Sequence, residues 1–97
     1  MVDLRGLPGA ALVERGLADL AAGRASAPAL AVAAAGARLR RLGLDAHPRI
    51  EDAELRLYQE LGREDPEAAY GRYNAMLREI ASFARALERE QAKGTTA

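Results

Sequence analysis

The sequence predicts an all-α protein, a four-helix bundle-like domain with a long C-terminal helix that we expect to be dimeric. Apolar residues recur at intervals of three and four along most of the chain, which is the spacing of one face of an α-helix. Alanine, the strongest helix former, supplies 23 of the 97 residues. Glycines and prolines separate the periodic segments into four helices.

The first helix is predicted from Pro8 to about Ala22, after an arm at residues 1–7 that has no helical period and is expected to be loose or docked. Gly23 is placed to end this helix. Gly16 lies on its apolar face, where a missing side chain would let another helix approach closely. The alternative is that Gly16 only weakens the helix, by about 1 kcal/mol.

The second helix is predicted from Pro28 to Leu42, with Ser26 as its N-cap. Its first ten residues are apolar on every side, which indicates a helix enclosed by others. Its last turns are basic, and positive charge there complements the helix dipole. The basic residues are Arg38, Arg40 and Arg41.

The third helix is predicted over Arg49–Leu61, with acidic residues in its first turns and Gly62 at its end. The fourth helix begins only a few residues later, at Pro66, with Asp65 as N-cap. A connection this short makes the third and fourth helices antiparallel neighbours.

The fourth helix, Pro66–Gln91, would be about 39 Å long, whereas the others reach only about 20–24 Å. The third helix therefore covers only its first half. The apolar seam beyond that point needs the first two helices or a second copy of the chain as its cover. We take this seam as the candidate interface, comprising Tyr73, Leu77, Ile80, Phe83, Ala84 and Leu87.

Composition strengthens the expectation of a homodimer. Alanine buries little surface, and the chain has no tryptophan and one phenylalanine, so a monomer of this size would have a thin core. Residues 1–92 are predicted to form a single helical domain, and residues 93–97 a disordered tail.

Charge and targeting features indicate which partners and which cellular compartment to expect. The formal net charge is zero and the third helix is acidic, which argues against nucleic acid as a partner. The chain has no cysteine, no signal-peptide pattern at its start and no uncharged run beyond the 13 residues 25–37, which is too short to span a bilayer. We expect a cytoplasmic protein without membrane contact, and 13 arginines to one lysine suggest a bacterial source.

Catalytic and metal-binding patterns are not found in the sequence, so we expect neither enzyme activity nor a metal or cofactor. The most distinctive side chains are a candidate polar cluster at Tyr58, Tyr70, Arg72 and Asn74. With Tyr73, they would line a small pocket at the hairpin of the third and fourth helices. The alternative is that the rings pack in the core with their hydroxyls at its rim.

One short segment resembles a known family. Arg41 and His47 have the Arg-x(4–6)-His spacing of the HEPN ribonucleases, which are small all-helical dimers. The resemblance covers seven residues and departs from the family pattern, since Gly43 and Pro48 interrupt the helix and no polar residue follows the arginine. It implies RNA processing by Arg41 and His47.

The function predicted from these observations is a small non-catalytic helical protein that mediates self-association and protein–protein interaction. Its partners would be a second copy and another protein. The alternatives are the HEPN-like RNA-processing protein and a small ligand-binding helical domain.

Overall fold

The computed structural model describes residues 4–94, and no strand occurs among them. A 3-10 turn at Leu4–Gly6 precedes five α-helices, which confirms the all-α prediction. The helices are α1 (Ala10–Ala21), α2 (Ala27–Ala34), α3 (Gly36–Arg41), α4 (Ala53–Glu64) and α5 (Ala69–Gly94).

Helices α1 and α2 pack closely because of a glycine. Gly16 is buried in α1, and a Cβ atom there would lie 2.5 Å from the carbonyl oxygen of Pro28 in α2. Ser26 caps α2 as predicted, since its Oγ accepts a hydrogen bond of 3.2 Å from the Ala29 N–H. The same hydroxyl donates to Asp19 of α1 at 2.7 Å, so one side chain both starts α2 and ties it to α1.

The predicted second helix is divided at Ala35, and residues 4–94 therefore contain five α-helices rather than four. Ala35 leaves regular helical geometry (φ −95°, ψ 13°), although its N–H still bonds to Ala31 and its carbonyl accepts from Leu39. Gly36 follows it, and the guanidinium of Arg40 lies against this glycine. Glycine has a low helix propensity. At residue 36 its missing side chain leaves room for the guanidinium of Arg40, one turn further along.

The basic residues at the end of α3 have structural contacts of their own. Arg38 forms a 3.0 Å ion pair with Glu88 of α5, and Arg40 donates a 2.8 Å hydrogen bond to the carbonyl of Ala46 in the following loop. The hydrogen bond from Arg38 lowers the pKa of the Glu88 carboxyl. These contacts attach α3 and its loop to the rest of the fold.

Helix α4 begins later than predicted, at Ala53 instead of Arg49, and runs through Gly62 to Glu64. Asp52 adopts the left-handed conformation (φ 55°, ψ 34°), which a right-handed helix cannot include. The helix therefore starts only after this residue. Leu57 and Leu61 are buried, whereas Tyr58 is exposed.

Helix α5 starts after a capped turn. Asp65 Oδ1 accepts hydrogen bonds from the N–H groups of Glu67 and Ala68 at 3.2 and 3.3 Å, but these close a turn over residues 66–68, and the helix begins at Ala69 instead of Pro66. It continues to Gly94, so residues 93 and 94, expected in a disordered tail, are helical instead. The remaining tail residues, 95–97, lie outside the described residues, as do residues 1–3 of the predicted arm.

The second half of α5 is covered by the chain itself. Ile80, Phe83, Ala84 and Leu87 are all buried, and α5 contacts α1, α2 and α4. The Arg38 ion pair and a 2.7 Å hydrogen bond from Gln91 Nε2 to the Leu42 carbonyl attach its end to α3. This corrects the candidate interface at these four positions, because the first helices already fill the space that a second copy was expected to occupy.

Candidate functional site

An open groove of about 770 Å³ lies between the C-terminal end of α2, the start of α4 and the first half of α5. We call it the tyrosine groove. Apolar side chains from α2, from the start of α4 and from the loop before it form part of its lining. These are Ala33, Ala34, Ile50 and Ala53.

Aromatic side chains dominate the rest of the groove. All three tyrosines of the chain line it, Tyr58 from α4 and Tyr70 and Tyr73 from α5. The rings of Tyr58 and Tyr73 meet edge to face, with centroids 5.9 Å apart and planes at 81°. Tyr70 is 67% exposed, Leu55 57% and Tyr58 42%, which makes them the exposed large hydrophobic residues of the described chain.

Two carboxylates add negative charge to the same groove. Glu54 accepts a 3.4 Å hydrogen bond from the Tyr73 hydroxyl, and Asp52 lines the groove from its left-handed position before α4. Burial raises the pKa of the Tyr73 phenol, and the negative charge of Glu54 raises it further. Within residues 4–94, no lysine or arginine lines the groove.

A smaller depression of about 240 Å³ adjoins the groove and shares Ala34 and Glu54 with it. It lies between α2, α3 and α5 and is lined mainly by apolar side chains, including Leu77. Its cation, Arg38, is already paired with Glu88. The charge of the combined surface is therefore set by Asp52 and Glu54.

The structure brings together part of the predicted polar cluster. Tyr58 and Tyr70 share the groove with Tyr73. Arg72 does not line the groove and instead forms a 2.9 Å ion pair with Glu64 at the α4–α5 turn. Asn74 is half-buried and is also not among the groove's lining residues.

Asp52, Glu54 and Leu55 are among the lining residues that were not predicted. Leu55 could have been found from its spacing, because it lies three residues before Tyr58 and off the buried face of Leu57 and Leu61. Of the predicted interface, Tyr73 and Leu77 are half-buried along the groove and its adjoining depression.

The segment that resembles the HEPN motif lies elsewhere. Arg41 is exposed at the end of α3, and His47 is exposed in the loop that follows. The His47 Nδ1 lies 2.7 Å from Asp45 Oδ1, so the carboxylate orients the ring. RNA processing by these residues remains a prediction from the sequence.

Two further classes of site are not seen in the described part of the chain. Residues 4–94 contain no group of three or more His, Cys, Asp or Glu residues that could hold a metal ion. None of the helices described there combines the length and apolar character needed to cross a membrane. Comparison with protein-family models, curated proteins and solved structures finds no match for this chain.

Proposed function

We propose that this chain is a non-catalytic helical module that acts by binding another protein chain, with a second copy of itself as the partner on the α4–α5 face. The observation that carries the proposal is the joint exposure of Leu55, Tyr58 and Tyr70 around one groove. Water contact with so much apolar surface on one face is unfavourable by about 25 cal/mol per Å². Aromatic side chains in such patches are typical of protein interfaces.

The composition of the core supports self-association in particular. Many of its buried residues are alanines, among them Ala29 and Ala31, and a chain of this size gains limited stability from its own core. Two-fold dimers are the commonest assemblies of soluble proteins. Two α4–α5 hairpins packed face to face would bury the exposed side chains of both copies in a four-helix arrangement.

Light scattering coupled to size exclusion, from low to high micromolar concentration, tests this proposal. The wild-type mass is expected to rise from one chain towards two. Leu55→Glu and Tyr70→Glu should remain at one chain, because each places a charge in the proposed contact. Ala75→Glu is the matched control, since Ala75 is exposed in α5 but does not line the groove.

A wild-type mass that stays at one chain's value throughout the series would contradict self-association. Dimerisation that persists in both groove variants would assign the contact to another face. Circular dichroism of each variant establishes that its helices are intact.

A further inference from the structure

We propose that the tyrosine groove is a binding site for an organic cation, a substituted ammonium group held between Tyr58, Tyr73 and the carboxylates of Glu54 and Asp52. This inference goes beyond the proposed self-association and concerns the single chain, in which the groove is open. A second copy packed on the α4–α5 face would compete with the cation for Tyr58 and Tyr70. It rests on the ring geometry, on the charge of the lining and on the kind of surface beside the rings.

The ring geometry provides the first step. Tyr58 and Tyr73 pack edge to face, with planes at 81° and centroids 5.9 Å apart, so the two rings that line the groove stand nearly at a right angle to each other. The face of an aromatic ring is electron-rich and attracts a cation within about 6 Å of its centroid. Tyr70 brings a third ring to the same groove and is largely exposed to an incoming ligand.

The charge of the lining provides the second step. Glu54 and Asp52 are both carboxylates in this groove, and no lysine or arginine among residues 4–94 lines it to neutralise them. Glu54 also accepts a long, 3.4 Å hydrogen bond from the Tyr73 hydroxyl, so its carboxylate lies beside that ring. A cation would therefore meet aromatic faces and negative charge together, and both interactions favour it.

The surface beside the rings selects the class of cation. Ala33, Ala34, Ile50 and Ala53 offer alkyl contacts and no side-chain oxygen. A hydrated metal ion needs several oxygen ligands, whereas an alkylated ammonium group carries its own apolar surface. The groove volume of about 770 Å³ lies within the range of small-molecule sites. Both a free organic amine and a lysine side chain carry such an ammonium group on an alkyl chain.

The chain contains its own reporter for this site. It has three tyrosines and no tryptophan, and all three tyrosines line the groove, so tyrosine fluorescence reports on this groove. Choline is the probe, and 3,3-dimethylbutan-1-ol is its neutral counterpart of the same shape. Choline is expected to change the fluorescence saturably and to bind about tenfold more tightly than the alcohol. Sodium chloride at equal ionic strength controls for screening.

Variants identify the groups that hold the cation. Glu54→Gln and Tyr58→Leu should each weaken choline binding several-fold, whereas Glu14→Gln, at an exposed carboxylate on α1, should leave it unchanged. Asp52→Asn removes the second carboxylate from a position where asparagine also tolerates the left-handed backbone, so folding is preserved.

A blocked lysine, Nα-acetyl-lysine methylamide, distinguishes the two sources of the ammonium group, a free amine and a lysine side chain. Tighter binding than choline assigns a lysine side chain, and weaker binding assigns a free amine.

Equal affinity for choline and the neutral alcohol, or no saturable change with choline or the blocked lysine, would overturn the inference. Amide chemical-shift mapping in wild type gives a second test that needs no variant. Choline should shift the amides around Glu54, Tyr58 and Tyr73 and leave those around Gly16 in place. The opposite pattern would also overturn it. Failure of self-association would have no bearing on these results.

Discussion

Gly16 of α1 lies against the backbone of Pro28 in α2, so close that a Cβ atom on residue 16 would be 2.5 Å from the Pro28 carbonyl oxygen. The same atom would also clash with the side chain of Val32. Neither the carbonyl nor the β-branched side chain can move aside freely. This contact sets how closely α1 and α2 approach each other.

Gly16→Ala should therefore destabilise the protein although alanine favours helix more than glycine does. The propensity gain is about 1 kcal/mol, and the cost of forcing α1 away from α2 is typically about 1–3 kcal/mol or more against backbone. We expect a net loss of up to about 2 kcal/mol in the free energy of unfolding, measured by urea denaturation.

Gly71→Ala is the matched control for that substitution. Gly71 is an exposed glycine in α5, and a Cβ atom there would have no neighbour within 4 Å. Only the higher helix propensity of alanine acts at this position, so the free energy of unfolding should rise by up to about 1 kcal/mol. If both alanines raise stability, the close packing of α1 on α2 is refuted.

Phe83 provides a test of where the second half of α5 packs. It is the single phenylalanine and is fully buried within one chain. Phe83→Ala should reduce the free energy of unfolding by about 3–5 kcal/mol, a large part of the total for a small domain. Because Phe83 belongs to the internal core, the loss should be the same at every protein concentration.

A loss that depends on protein concentration would instead place Phe83 between copies. Phe83→Leu keeps most of the volume and should cost less than the alanine variant. It allows the same comparison if Phe83→Ala does not fold.

Local features of the fold were predictable from the sequence. Ser26 caps α2, and Asp65 stabilises the turn before α5, each through hydrogen bonds from nearby N–H groups that depend on only a few neighbouring residues. The close approach at Gly16 was one of the two interpretations of this glycine that the sequence allowed, because a glycine on an apolar helix face leaves space for another helix. The long C-terminal helix followed from its uninterrupted period.

Features that depend on packing were not predictable in the same way. The division at Ala35 involves Arg40 lying against Gly36, and the late start of α4 depends on the backbone of Asp52. The tyrosines were expected to gather because they belong to one hairpin. Glu54 was missed because the groove also needs α2, whose position relative to α4 is not encoded in the period of either helix.

Asp19 should make stability depend on pH in the acid range. Hydrogen bonds from Ser26 and then Arg24 lower the pKa of its carboxyl below the ordinary 3.8. A lowered pKa in the folded state means that its stabilising effect is present above pH 3.8 and is lost as the pH falls through the lower, folded-state value. Asp19→Asn should therefore be less stable than wild type at neutral pH, and the difference should vanish in strong acid.

Ser26→Ala separates two roles of one side chain. It removes the cap of α2, at a cost of about 1 kcal/mol, and also the hydrogen bond to Asp19. Only the second effect depends on the Asp19 charge, so part of the loss should persist in strong acid. Urea denaturation at neutral pH and in strong acid, below the lowered folded-state pKa of Asp19, measures both parts. A Ser26→Ala deficit that is identical at the two pH values would contradict the link to Asp19.

Tyr73 should show the opposite pH dependence, at the alkaline end. Burial, and then the charge of Glu54, raise the pKa of its phenol above the ordinary 10.0. A raised pKa means that the stability from the neutral phenol is complete below pH 10.0 and is lost as the pH rises through the folded-state value. Phenolate absorbance of wild type should include a component above pH 10.0 that Tyr73→Phe removes.

Glu54→Gln divides the two causes of this shift in Tyr73. It should bring the pKa of the Tyr73 phenol down only part of the way, because burial is the larger cause and remains. The measurement is the same absorbance titration, with Glu14→Gln on α1 as the control for a general loss of negative charge. A Tyr73 component that does not move in Glu54→Gln, or that moves equally in Glu14→Gln, would show that Glu54 exerts no specific field on the tyrosine groove.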